Sequence, residues 1–70
     1  MKVIAELVPR RTEETVDLHM GAKGVDLLRA LRLAPDAHLL VRGDVPIPID
    51  ETLQDGERIR VIGVVSGGSR

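Results

Sequence analysis

Val25 to Leu33 reads VDLLRALRL, and its period differs from everything around it. Leu27 and Leu31 are four apart, and Val25, Leu28 and Leu31 are three apart, so they share one face of a helix. Asp26, Arg29 and Arg32 take the opposite face. The spacing predicts a helix of about two to three turns, short by any standard. Asp26 near its start and Arg32 near its end suit the helix dipole, and Pro35 is expected to end it. Neither Lys23 nor Gly24 is a favoured N-cap, so the helix start lacks an obvious side-chain acceptor.

The segments on either side alternate with period two. Lys2 to Val8 reads as a strand with Val3, Ala5 and Leu7 on one face. Pro9 to Thr12 is a turn, and Glu14 to Met20 alternates again, with Val16, Leu18 and Met20 on one face. After the helix, His38 to Arg42 is a strand and Gly43-Asp44 a turn. Val45 to Ile49 is extended, but Pro46 and Pro48 remove two backbone donors, as expected of an edge strand. Asp50 to Leu53 reads as a single capped turn, and Asp55-Gly56 is a strong tight-turn signal. Arg58 to Val65 is the final strand, with Ile59 and Val61 on one face and Arg58, Arg60 and Ile62 on the other. The order is strand, strand, helix, strand, short edge strand, strand. One helix must then cover one face of one mixed sheet, with the apolar first and last strands central.

The chain has 70 residues, enough for one domain. Residues 1–65 are expected to form it, with 66–70 a flexible Gly-Gly tail carrying Ser69-Arg70. Ten basic and eleven acidic residues are interspersed, which argues against a nucleic-acid patch. Phe, Tyr and Trp are absent, so nothing can stack on bases. Cys is absent, which excludes disulfides, thiolate chemistry and cysteine metal sites. No run is apolar enough to span a membrane, and Met1 to Glu6 has no signal-peptide character, so the cytoplasm is the expected location. Eight arginines to two lysines suggest a thermophile or a GC-rich genome.

Taken together, the strand order resembles the ubiquitin-like β-grasp, an α+β fold with a four- to five-stranded mixed sheet and one packed helix. VDLLRALRL is similar to the helix of the ThiS and MoaD sulfur-carrier families, and ETLQDGERIRVIGVVSGG, Glu51 to Gly68, to their signature ending. The VVSGG form resembles archaeal small modifier proteins of the same family. The resemblance covers nearly the whole chain and rests on Leu53, Asp55, Gly56, Gly67 and Gly68 together. It implies a protein that is not itself an enzyme and holds no permanent cofactor. Its terminal glycine carboxylate would be adenylated by a ubiquitin-activating-type enzyme using ATP, then thiocarboxylated by a sulfur donor or joined to a lysine of a target. A synthase large subunit is a further partner the resemblance implies. Two departures stand out. Lys23-Gly24 occupies the place where a Thr or Ser often caps the helix, and Ser69-Arg70 follows the second glycine. Gly68 would therefore carry the reactive carboxylate only after a protease cuts between Gly68 and Ser69. A β-grasp interaction module without tail chemistry is the alternative.

A docking surface can also be read from strand parity. If Ile59 and Val61 face the helix, Ile62 and Val64 face out, joined by Ile4, Val8 and Leu40, with Arg42, Arg58 and Arg60 as a rim. Leu40→Asp would then weaken partner binding without unfolding the domain. The other candidates are weaker. His19 and His38 lack the partners and spacing of a metal site. Arg42-Gly43-Asp44 reads as turn chemistry, and Asp36, Asp50, Glu51 and Asp55 as turn and cap residues. Lys2 and Lys23 are the only side-chain amines, so self-conjugation has few targets.

Overall fold

The computed structural model describes residues 1–64; the expectations for Val65, the tail, Gly67-Gly68 and the Gly68–Ser69 cut lie outside them. The elements are β1 (Lys2–Val8), β2 (Thr12–Asp17), α1 (Gly24–Ala30), a 3-10 turn (Pro35–Ala37), β3 (His38–Arg42), β4 (Val45–Ile47) and β5 (Arg58–Gly63). They build a small α+β domain with a five-stranded mixed sheet in the order β2-β1-β5-β3-β4. Only β1 and β5 run parallel, and they lie side by side near the centre. Every other pair is antiparallel.

The core lies between the sheet and α1. Val3, Ala5 and Leu7 of β1, Ile59 and Val61 of β5, Leu40 of β3, Leu27 and Leu28 of α1, and Leu53 are all buried. With no aromatic residue available, the core is aliphatic. Each of these leucines and isoleucines contributes about 1.5–3 kcal/mol of burial.

The helix begins without a side-chain acceptor on Lys23, and its orphan donors go elsewhere. Gly24 N–H donates to the Glu51 carbonyl at 3.0 Å and Val25 N–H to the Ile49 carbonyl at 2.7 Å. The Asp26 carboxylate accepts the Lys23 N–H at 2.8 Å, which is half of a capping box. The loop before β5 therefore serves as the cap. Gly24 is buried at this junction because Leu40 and Ile49 occupy the space of a Cβ.

α1 stops at Ala30, several residues before Pro35. Arg32 adopts φ 61°, Arg32 N–H donates to Arg29 O at 3.0 Å, and Leu33 N–H donates to Leu28 O at 2.9 Å. These two bonds form a Schellman motif with arginine in the left-handed position that usually takes glycine. Pro35 instead opens the 3-10 turn.

The second strand also differs from expectation. β2 spans Thr12–Asp17 rather than Glu14 to Met20. The Pro9–Arg11 turn is tight enough for pairing to start at Thr12, opposite Leu7. Leu18 is buried just beyond the strand, whereas Met20 is 74% exposed. β4 is cut to three residues and lies at the sheet edge, as its prolines demand. The turn that follows spans Pro48 to Glu51, closed by Glu51 N–H to Pro48 O at 3.1 Å, and Thr52 instead bridges to Lys23.

The parity of β3 is the main correction. Leu40 pairs with Val61 and Ile47 on the helix side of the sheet and is 1% exposed. It is a core residue and cannot belong to a docking surface. Arg42 pairs with Ile59 and so also faces the helix side. Leu39 and Val41 take the outer face in their place.

Candidate functional site

The sheet face opposite α1 carries no helix among the described residues, although Val41 within it is buried, at 9% exposure. Register places its side chains in cross-strand rows. Val8 of β1, Ile62 of β5 and Leu39 of β3 form one row, and Glu6, Arg60, Val41 and Pro46 form the next. Ile4 and Arg58 follow, with Thr15 of β2 beside Ile4. The apolar row thus lies at the carboxyl end of β5, where the chain leaves the sheet. Leu39 is 51% exposed and Val64 39%, while Ile4, Val8 and Ile62 are half-buried. Ile4, Val8, Ile62, Arg58 and Arg60 share this face as the sequence indicates. Leu39, Val41 and Pro46 also belong to it, although the residue types in HLLVR do not indicate this.

The arginines are already engaged. Arg58 bonds Glu13 of β2 across the intervening β1, and this pairing raises the Arg58 pKa further above its ordinary value. Arg60 lies 3.9 Å from Glu6. Both pairs are solvent-exposed, and each contributes little to stability. They can exchange for a partner's carboxylates at small cost.

Arg42 does different work on the other side. Its Nε donates to Glu57 at 2.8 Å, Nη1 to Glu51 at 3.0 Å, and Nη2 to Glu57 at 3.1 Å and to the Thr52 carbonyl at 3.1 Å. Burial opposes charge on Glu57, but donation from Arg42 and from the Gln54 N–H holds its carboxyl below the ordinary value. Bonds to Glu57 and Glu51 raise Arg42 in turn. The guanidinium thus fixes the loop that caps α1 and leads into β5.

Asp55-Gly56 fixes the start of β5. Gly56 takes φ 81°, its N–H donates to Lys2 O at 2.7 Å, and the Asp55 carboxylate accepts the Lys2 N–H at 2.9 Å. Ile4 N–H then donates to Glu57 O at 2.9 Å and starts the parallel register. At the other end β5 stops at Gly63, and Val64 N–H donates to Ala37 O at 2.9 Å. A shallow cleft of about 150 Å³ opens beside Gly63, bordered by Pro9, Arg10, Leu33 and His38.

The weaker candidates separate in space. His19 approaches Asp26 at 4.0 Å, and His38 Nδ1 lies 2.8 Å from the Ala34 carbonyl. Among the described residues no group of three His, Cys, Asp or Glu could hold a metal ion. No helix among them is long and apolar enough to cross a membrane.

This geometry defines a class, a small α+β domain whose one helix covers one face of a five-stranded mixed sheet and leaves the other face open. No protein-family model matches the chain. It is 31% identical over 48 residues to an uncharacterized protein of Archaeoglobus fulgidus, an alignment covering 69% of this chain and 70% of that relative. The chain belongs to one family with that archaeal protein.

Proposed function

We propose that this domain is a ubiquitin-like β-grasp of the ThiS/MoaD sulfur-carrier type, acting as a sulfur carrier or protein modifier through Gly68. The observation that carries the reading is the placement of β5. It is the strand beside β1 in parallel, locked at its start by Asp55-Gly56, and it carries the chain out of the sheet beside an uncovered apolar row. Gly67-Gly68 follow within a few residues. A folded body that offers recognition and a narrow chain end that offers reach are what an adenylating partner needs. The reaction requires a free carboxylate on Gly68. It attacks ATP to give the acyl adenylate and releases pyrophosphate; sulfide sulfur or a lysine amine then displaces AMP. No side chain of this chain takes part in bond making. Docking would use Val8, Ile62, Leu39 and Val64, with Arg58 and Arg60 exchanging their glutamates for partner carboxylates.

Mass spectrometry of the protein from its native cells tests the reading. A chain ending at Gly68, alone, with one oxygen replaced by sulfur, or as a Gly-Gly remnant on lysines of other proteins, supports it. A mass that always retains Ser69-Arg70 contradicts it. The open sheet face also favours a second reading, a β-grasp interaction module that works without tail chemistry. In that case removing both glycines leaves function intact.

A further inference from the structure

We propose that the free edge of β2 takes up an extended, basic segment of a partner protein as an additional strand of the sheet. The two edges of this sheet are not equivalent. β4 offers three residues and carries Pro46, with Pro48 just beyond, so it presents few donors. β2 offers six residues, TEETVD, with no proline, glycine or lysine to blunt it.

The hydrogen-bond phase shows which groups are free. Leu18 N–H donates to Met1 O at 2.7 Å, so Leu18, Val16 and Glu14 point their backbone toward β1. The other side of β1 agrees: Lys2 and Ile4 direct their N–H groups to Asp55 and Glu57, away from β2. Glu13, Thr15 and Asp17 therefore turn their N–H and C=O groups outward along the free edge. An added strand could pair with all three residues.

Charge selects the strand. Glu13, Glu14 and Asp17 are exposed, and β2 has no cation. Glu13 pairs with Arg58, Asp17 with Lys2 and with the N-terminal ammonium of Met1, and Glu14 has no ion pair among the described residues. A second copy of the chain is a poor occupant. Pairing β2 with itself about Thr15 sets Glu13 opposite Asp17 twice, with like charges face to face. The carboxylates thus disfavour self-association and acidic strands while leaving a basic strand attractive. This inference is independent of Gly68 chemistry.

The test uses the full chain, isotopically labelled, with an acetylated and amidated hexapeptide alternating lysine and valine. At saturation, amide exchange at Glu13, Thr15 and Asp17 should slow by about tenfold or more, as for newly bonded strand amides. Glu14 and Val16, already bonded to β1, should not change. Thr15→Pro removes the central outward donor and should abolish the protection. Glu14→Lys leaves the backbone intact and should weaken binding about fivefold. No slowing at the three outward amides, or equal slowing with a glutamate-valine peptide, would overturn the proposal. So would unchanged affinity in Glu14→Lys.

Discussion

Replacing Gly24 by alanine probes the junction that holds helix, sheet and loop together. An alanine Cβ would overlap Leu40 Cδ1 and sit 3.1 Å from the Ile49 carbonyl oxygen and 3.3 Å from Ile49 Cα. Leu40 cannot swing away freely, because it is 1% exposed and packed between β5, β4 and α1. Moving Ile49 instead strains the Val25 N–H bond to its carbonyl. Overpacking of this kind costs about 1–3 kcal/mol. Alanine returns at most about 1 kcal/mol of helix propensity, and less at the first helical position. The net loss should be about 1–2 kcal/mol. The whole domain has about 3.5–10 kcal/mol at 0.05–0.15 kcal/mol per residue, so this is a sizeable fraction. The melting temperature should fall by about 4–16 °C. Urea unfolding followed by far-ultraviolet circular dichroism measures it, since no aromatic residue reports on tertiary structure. A double-mutant cycle with Leu40→Ala locates the cause: the Gly24→Ala penalty should shrink by about 1 kcal/mol once Leu40 is truncated. A Gly24→Ala protein as stable as the parent, or a cycle with no coupling, would mean that Leu40 does not restrict this position.

The remaining predictions concern other joints and the open face. Arg32→Gly relieves a left-handed residue in the Schellman motif and should raise stability by about 0.5–1 kcal/mol, read from the urea midpoint. Glu57→Gln should cost about 1–2 kcal/mol at neutral pH by weakening its bonds to Arg42. Because folding lowers the Glu57 pKa, that contribution is fully present above about pH 4.5, the ordinary value, and is lost as pH falls through the lower folded value. The difference between parent and variant should therefore narrow in acid; a constant difference argues against the ion pair. Leu40→Asp should unfold the domain, whereas Leu39→Asp should fold normally and slow activation by an adenylating partner, which thermal melts and a pyrophosphate-release assay distinguish.

Much of this fold is legible in the sequence because period and punctuation agree locally. β1 alternates cleanly, the prolines mark β4 as an edge, and Asp55-Gly56 marks the turn that sets β5 in place. β3 is the instructive failure. Leu39, Leu40 and Val41 are all apolar, so nothing in HLLVR fixes which face is which. The polar ends, His38 and Arg42, share parity with Leu40 and point to the wrong answer. Arg42 is on the core side only because Glu51 and Glu57, distant in sequence, receive its charge. The end of α1 was hidden for a related reason, since its stop is a backbone conformation of Arg32 and not a glycine. The capping of α1 by the 49–51 carbonyls is a tertiary contact that no local pattern announces.

Under the proposed function, Gly68 becomes the working end of the molecule once Ser69-Arg70 is removed. Incubating the full chain, and a chain ending at Gly68, with the cognate adenylating enzyme and ATP tests this directly. Pyrophosphate release should occur only with the chain ending at Gly68, and should disappear when Gly67 and Gly68 are deleted. Equal release from the full chain, or none from either, would mean that Gly68 is not the group that is activated.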